Sequence, residues 1–170
     1  MQFTIEEGRA AVALARDTLE AHVKGDRLAP RKAPAIFSEK RGVFVTLTKE
    51  ESGAMRLRGC IGYPEPIKPL EEAIKDVTVF ASEDPRFPHP VVPEELDSIC
   101  VEVSILTLPR DLIVPRRPDI PSKIRLGVDG LIISNAYASG LFLPQVATEQ
   151  GWDQETFVSE ACAKLLCRSI

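Results

Sequence analysis

The segment 57–62, which reads LRGCIG, combines a thiol, a cation and two glycines. Alternate side chains of an extended strand lie on one face, so Arg58, Cys60 and Gly62 are predicted to share a face. A guanidinium beside a thiol favours the nucleophilic thiolate, and the glycines at 59 and 62 let a ligand approach closely. The segment is therefore either a reactive thiol in a cleft, or a buried cysteine whose neighbouring glycines serve packing.

The proline-rich loop after the second predicted helix contributes further polar groups. If it folded over the strand, His89 could act as the base for Cys60, with Glu102 as an orienting carboxylate, which is the arrangement of thiol catalysis. The alternative is a hydrogen-bonded pair of Asp84 and Arg86 that fixes the loop, and this alternative is favoured.

Two more polar side chains are candidates for binding. Glu102 lies mid-strand between apolar residues, so it either faces solvent or is buried beside an arginine such as Arg58, and a solvated face is favoured. Gln145 precedes Trp152, and its amide could bind a ligand in a pocket walled by residues 143–146. The equally weighted alternative is a strand end with Trp152 as a core anchor.

The four cysteines are Cys60, Cys100, Cys162 and Cys167. Their spacing suggests neither a disulfide framework nor a CxxC metal site, so reduced thiols are expected. Histidines and carboxylates lack zinc-site spacing, and no glycine loop is followed by lysine. The sequence therefore predicts no metal and no cofactor.

Charge and hydropathy limit the classes of partner. The net charge of −4 argues against a surface that tracks nucleic acid, although the stretches 27–41 and 110–125 are basic. The longest charge-free stretches fall short of the roughly 20 apolar residues that a membrane span needs, and the N-terminus resembles no signal sequence. A cytoplasmic protein is expected, with nucleic-acid binding unlikely.

Helical periodicity predicts three helices. A capping box at Thr4 and Glu7 predicts a helix over about 5–24 that ends at Gly25. A second helix is predicted from 70 to about 83, and Asp153 is predicted to cap a third.

The remaining patterns predict strands. The predicted elements are a hairpin of 43–48 and 55–62 with a tight turn longer than two residues, a strand at 99–105, a second hairpin of 124–128 and 131–134 turning at Asp129-Gly130, and a short strand at 141–143. These elements favour an α+β fold with a mainly antiparallel sheet flanked by helices. We expect a single domain over 1–170, with a small annex at 26–40 or 109–123.

Several segments together resemble the AMMECR domain family, from Thr4 to about Lys164. They are LRGCIG at 57–62, RGVFVTL at 41–47, SEDPRF at 82–87, LPQV at 143–146 and QGWD at 150–153. The resemblance implies an α+β fold of two unequal subdomains, with LRGCIG near a groove between them. It implies no established catalytic activity. It also implies association with Memo-like proteins and radical S-adenosylmethionine enzymes, in redox chemistry or macromolecule modification.

The candidate functions follow from these residues. We favour a binding domain whose groove holds a small molecule, a peptide or a partner protein; its candidate binding residues are Arg58, Gly59, Gly62, Asp84, Arg86, Glu102 and Gln145. The alternative is an enzyme in which Cys60 is the catalytic nucleophile and Arg58 holds an anionic group. A weaker third hypothesis is an RNA-associated factor that uses 110–125.

One feature departs from the family pattern. Family members usually continue past the last helix with a further apolar segment, whereas this chain ends at Ile170. A terminal strand is therefore expected to be missing or remodelled. Cys162 matches a position where the family often has cysteine, and Cys167 is particular to this chain.

Overall fold

The computed structural model describes residues 3–137 and 139–166. The chain divides into two compact units, the first ending at Leu108 and the second beginning at Pro109. The fold is α+β with antiparallel sheets and flanking helices, as the sequence predicts. No helix in the described part of the chain could span a lipid bilayer.

The first helix, α1, spans Ile5–Lys24 and begins and ends as predicted. Thr4 Oγ1 accepts a hydrogen bond from the backbone N–H of Glu7 at 3.2 Å, and the Glu7 carboxylate accepts from the Thr4 N–H at 2.8 Å. These two bonds form the capping box and satisfy donors that an uncapped helix leaves unpaired. Gly25 ends the helix in the left-handed conformation at φ 71°.

The first hairpin joins β1 (Val43–Glu51) to β2 (Ala54–Tyr63). Glu51 pairs with Ala54, so the turn contains only Ser52 and Gly53. Both have positive φ, 55° and 80°, which matches the twist of the flanking strands. The prediction of a longer turn is therefore wrong, because a serine accepts the left-handed conformation beside the glycine.

A three-stranded sheet and two helices build the core of the first unit. The remaining elements are α2 (Leu70–Ser82) and β3 (Ile99–Ile105), and the strand order is β2-β1-β3 with antiparallel neighbours. The predicted apolar face of α2 is buried, and it shares one core with α1 and the alternate β1 residues Val43, Val45 and Leu47. One face of the sheet is thus covered by helices.

The second unit contains β4 (Leu131–Ser134), β5 (Ser139–Phe142), α3 (Pro144–Gln150) and α4 (Gln154–Leu166). Strand β4 pairs with β5, so the predicted hairpin turning at Asp129-Gly130 is wrong. Asp129 instead accepts a hydrogen bond from the backbone N–H of Arg125 at 3.0 Å and pairs with its guanidinium. Gly127 has φ 74°, so residues 125–129 close a turn that precedes the strand.

The end of the chain also differs from the prediction. A strand end was one of the two interpretations of residues 143–146, but α3 begins at Pro144, a residue well suited to the first helical position. Asp153 caps α4 as predicted, accepting from the Thr156 N–H at 2.8 Å. Cys167 and Ile170 lie outside the described residues.

Short 3-10 helices complete the described secondary structure. They span Ala35–Ser38, Pro93–Ser98, Arg117–Asp119 and Pro121–Lys123.

Candidate functional site

A bulge in β2 separates Arg58 from Cys60. Consecutive residues of β1 lie opposite Gly59 and Leu57, so Arg58 has no partner across this pair of strands. The extra residue shifts the alternation of faces: Arg58 lies on the helix-covered side, where it meets Glu95, and Cys60 lies on the opposite side. The prediction that Arg58 and Cys60 share a face is therefore wrong.

Arg58 forms a buried ion pair with Glu95, and their side chains are 8% and 10% exposed. Arg58 Nε and Nη2 donate to the two carboxylate oxygens at 3.0 and 2.9 Å, a bidentate arrangement. Lys49 Nζ adds a third contact with this carboxylate, at 3.1 Å. The hydrogen bonds from Arg58 lower the pKa of Glu95 to about 2, against the effect of burial.

The remaining contacts of Arg58 hold the loop that follows α2. Its guanidinium lies over the Phe87 ring, 5.4 Å from the centroid, and Nη2 donates to the His89 carbonyl at 3.1 Å. Arg58 and Glu95 thus connect β2 to this loop and to the segment before β3. The guanidinium is committed to structure and does not lie beside the thiol.

The two glycines of the motif allow close packing. A Cβ at Gly59 would lie 2.0 Å from the Ala81 carbonyl oxygen, so the strand contacts the backbone of α2 directly. A Cβ at Gly62 would lie 2.3 Å from the Phe44 ring. Both positions therefore exclude side chains for reasons of packing, which is the alternative that the sequence left open.

Asp84 and Arg86 bind the backbone of Cys60 at the free edge of β2. The Cys60 N–H donates to Asp84 Oδ2 at 2.9 Å, and the Cys60 carbonyl accepts from Arg86 Nη2 at 2.9 Å. Arg86 Nε also donates to Asp84 Oδ1 at 3.0 Å, so the predicted Asp84–Arg86 pair is present. Because β2 is an edge strand, the pair satisfies backbone groups that an additional strand would otherwise bind.

The two members of this ion pair differ in solvent exposure. The Asp84 side chain is fully buried, whereas that of Arg86 is 55% exposed. Hydrogen bonds from Arg86, together with the Cys60 and Arg86 backbone N–H groups, lower the pKa of Asp84 to about 2, although burial acts in the opposite direction. The carboxylate therefore stays ionised at neutral pH and holds the strand as an anion.

The side chain of Cys60 lies in a polar row across the sheet. Thr46 lies opposite Cys60 on one side and opposite Glu102 on the other. Thr46 Oγ1 lies 3.2 Å from Cys60 Sγ, in position to donate a hydrogen bond. We call Cys60, Thr46 and Glu102 the polar row; it lies on the sheet face opposite α1 and α2.

The polar row is accessible. Glu102 is exposed and accepts from Ser104 Oγ at 3.2 Å, while Cys60 is half-buried. The favoured prediction of a solvated Glu102 is thus correct, and the alternative of burial beside Arg58 is wrong, because Glu95 is the carboxylate partner of that arginine.

His89 contacts groups other than the thiol. Its Nδ1 lies 2.8 Å from the Pro90 carbonyl oxygen and 3.4 Å from Arg58 Nη2. Among the described residues no hydrogen bond joins His89 to Cys60. The proposed nucleophile and base are therefore not paired, since Arg58 draws the loop to the other side of β2.

Gln145 belongs to the second unit, where it is half-buried in α3. Its backbone carbonyl accepts from Thr148 Oγ1 at 2.7 Å. Trp152 packs against Phe142 with ring centroids 5.6 Å apart, in the apolar cluster of this unit. The core-anchor interpretation of Trp152 is therefore correct, and a ligand contact by Gln145 stays a prediction.

Sequence reasoning missed two residues of the first unit. Glu95 is buried, although the first turn of a 3-10 helix usually exposes its carboxylates. A buried carboxylate needs a partner, but no residue close to Glu95 in the sequence indicates that this partner is Arg58. Pairing the hairpin back from its turn would have placed Thr46 opposite Gly59, because the bulge at Arg58 shifts the register by one residue.

The remaining groups that could do chemistry are the cysteines and possible metal ligands. Cys60, Cys100 and Cys162 are free cysteines, the last two exposed. Residues 3–137 and 139–166 contain no group of three or more histidine, cysteine, aspartate or glutamate side chains placed to hold a metal ion.

The sequence profile of the AMMECR1 family matches residues 12–169. The chain belongs to the AMMECR1 family. It is 52% identical over 162 residues to a protein of Methanothermobacter thermautotrophicus, an alignment that covers 94% of this chain and 82% of that protein. It is 47% identical to a protein of Methanocaldococcus jannaschii, covering 95% of this chain and 79% of the relative.

A solved structure shares the fold. The crystal structure of an uncharacterized protein from Pyrococcus horikoshii superimposes with a TM-score of 0.86 at 44% sequence identity, covering 97% of this chain and 82% of that one. The α+β architecture is thus that of an AMMECR1 protein, as the motifs implied.

Proposed function

We propose that this chain is a binding domain that recognises a partner through the polar row and that works with a Memo-like protein or a radical S-adenosylmethionine enzyme. The observation that carries the proposal is the pair of hydrogen bonds to the Cys60 backbone: Asp84 accepts from its N–H, and Arg86 donates to its carbonyl. A fixed backbone presents the accessible side chains of the row in one arrangement, which lowers the entropic cost of recognition.

The chemistry of the row favours binding over nucleophilic catalysis. A neighbouring base activates a nucleophilic thiol, whereas the observed hydrogen-bond partner of Cys60 Sγ is the Thr46 hydroxyl, which is placed to donate. The positive charge of Arg58 is neutralised by Glu95 on the other face. The row therefore offers a hydroxyl, a thiol and one exposed carboxylate for contact with a ligand.

Of the two arginines expected to recognise a partner, Arg58 is buried and Arg86 keeps this role. Its guanidinium binds the Cys60 carbonyl, yet its side chain is 55% exposed. An exposed guanidinium beside the row can contact an acidic group of a partner while it keeps its bonds to Asp84. Gln145, which lies in the second unit, stays a separate candidate for contact with the partner.

The test measures binding of a Memo-like protein and of a radical S-adenosylmethionine enzyme from the same organism by calorimetry. Thr46→Arg should abolish the complex, because it fills the centre of the row, and Glu102→Lys should weaken it at least about tenfold, as expected at an interface hot spot. Glu50→Lys is the matched control, a carboxylate of the same strand pair that is also exposed. Cys60→Ser should leave the complex intact.

Two results would overturn the proposal. If Thr46→Arg binds as tightly as the wild type, the polar row is not the interface. If Cys60→Ser alone removes the activity of the partner system without changing binding, the thiol has a chemical role and the enzyme alternative is favoured.

A further inference from the structure

A cavity of about 230 Å³ lies in the first unit, between α1, the connection that follows it, and α2. Its apolar wall includes Ala10, Leu14, Leu28 and Phe37. Leu14 and Phe37 belong to the hydrophobic core and are 5% and 1% exposed. The cavity therefore opens directly onto the core, and its walls are held in place by residues that also stabilise the fold.

The rim of the cavity is positively charged. Arg31, Lys32 and Lys75 line it together with a single carboxylate, Glu71. Lys75 pairs with Glu71 at 2.6 Å, and Arg31 pairs with Asp17, which does not line the cavity. The rim thus has a net positive charge, which favours an anionic ligand.

Lys32 supplies the free cation. Its side chain is exposed and makes no ion pair or hydrogen bond with any residue that the structure describes. An unpaired ammonium at the mouth of an apolar cavity can bind a carboxylate without breaking an existing contact. Prolines at 30 and 34 flank this lysine, and their fixed φ restricts the backbone that presents it.

We propose that this cavity binds a small amphipathic carboxylate, with the apolar group against Leu14 and Phe37 and the carboxylate at Lys32. An apolar cavity of about 150 Å³ accommodates benzene, so a cavity of about 230 Å³ accommodates an aromatic ring with a short chain. The site is separate from the polar row and does not depend on the proposed function.

The experiment titrates the full chain with 3-phenylpropanoate and with the neutral 3-phenylpropanol, followed by backbone amide chemical shifts. The acid should shift the amides of Ala10, Lys32 and Phe37 with saturation and a dissociation constant of about 1 mM, as expected for so few ligand atoms. The alcohol should bind the same site at least about threefold more weakly.

Two variants separate the apolar contribution from the charge. Lys32→Glu should weaken the acid at least about threefold and leave the alcohol unchanged, because only the acid uses the ammonium. Ala10→Leu should weaken both, because it fills the cavity. Lys123→Glu is the matched control, an exposed lysine of the second unit, and should change neither.

Three outcomes would overturn the proposal. Shifts that do not saturate by about 20 mM would exclude a site of useful affinity. Equal affinity for acid and alcohol, or an equal effect of Lys32→Glu and Lys123→Glu, would exclude recognition of the carboxylate.

Discussion

The buried pair of Arg58 and Glu95 should be a large single contribution to the stability of the first unit. Each side chain is at most 10% exposed, and two hydrogen bonds of 3.0 and 2.9 Å join them. Removing one member of a buried pair leaves the other charge uncompensated, which costs about 3–5 kcal/mol. Glu95→Leu should reach this range, because it leaves the guanidinium without its counter-charge and removes the nearer of the two carboxylates that pair with Lys49.

The two single variants should differ. Arg58→Met leaves the Glu95 carboxylate with two partners, Lys49 at 3.1 Å and the Val92 N–H at 3.2 Å. Its negative charge therefore stays partly stabilised. We expect this variant to lose about 2 kcal/mol, less than Glu95→Leu. The double variant should lie within about 2 kcal/mol of the wild type, since an apolar pair of similar volume removes both desolvated charges.

Urea unfolding followed by circular dichroism measures these free energies of unfolding. Glu6→Gln is the control: it breaks an ion pair with Arg9 whose side chains are 80% and 73% exposed, and should cost at most about 0.5 kcal/mol. The reasoning is refuted if Glu95→Leu costs less than about 1 kcal/mol, or if the double variant loses the sum of the two single losses.

Three further predictions concern the same region. Stability should fall as the pH drops from about 4.5 towards 2, because Asp84 and Glu95 have folded pKa values of about 2, below their ordinary 3.8 and 4.5. The stabilisation by these carboxylates is complete above the unfolded pKa values and is lost on protonation. A free energy of unfolding that stays constant over this pH range would contradict the prediction. Arg86→Ala should lower stability by about 1 kcal/mol and accelerate amide exchange of the strand it holds, and rescue by lysine would argue against a forked contact. Gly59→Ala should destabilise the protein by several kcal/mol, because its Cβ would lie 2.0 Å from a carbonyl oxygen. The control is Gly8→Ala, which has open space around its Cβ and should stabilise α1 by about 0.5–1 kcal/mol. Equal shifts of the melting temperature for the two variants would contradict the packing argument.

The sequence predicted the elements whose signals are local. The helix α1 carries its own capping box and terminal glycine, and the apolar stripe of α2 repeats at helical spacing. In β3, alternation from Ile99 to Ile105 places one set of side chains towards the core and the other, including Glu102, towards solvent. Each of these signals depends only on residues a few positions apart.

The prediction for Arg58 failed because it depends on a contact between distant residues. At the bulge, the guanidinium of Arg58 binds Glu95, which lies 37 residues later in the chain. Strict alternation had placed Arg58 beside Cys60, and no residue within the strand indicates otherwise. The second hairpin failed for a different, local reason, because Asp129 binds Arg125, four residues before it, and closes a turn there in place of a hairpin turn.

The candidate site was predicted in part. The Asp84–Arg86 pair was expected and is present, but its contact with the Cys60 backbone follows from the way the loop meets the edge of β2. The role of Thr46 depends on strand register. Register is set by the packing of the whole sheet, which a single strand does not encode.

The most direct test of the binding proposal is the rate of iodoacetamide labelling at Cys60, read by peptide mass spectrometry with and without a bound Memo-like or radical S-adenosylmethionine protein. Cys162, exposed in α4, is the internal control. We expect a bound partner to slow labelling of Cys60 and to leave Cys162 unchanged, because the polar row is covered in the complex. A partner that binds while Cys60 labels at its original rate would contradict the account.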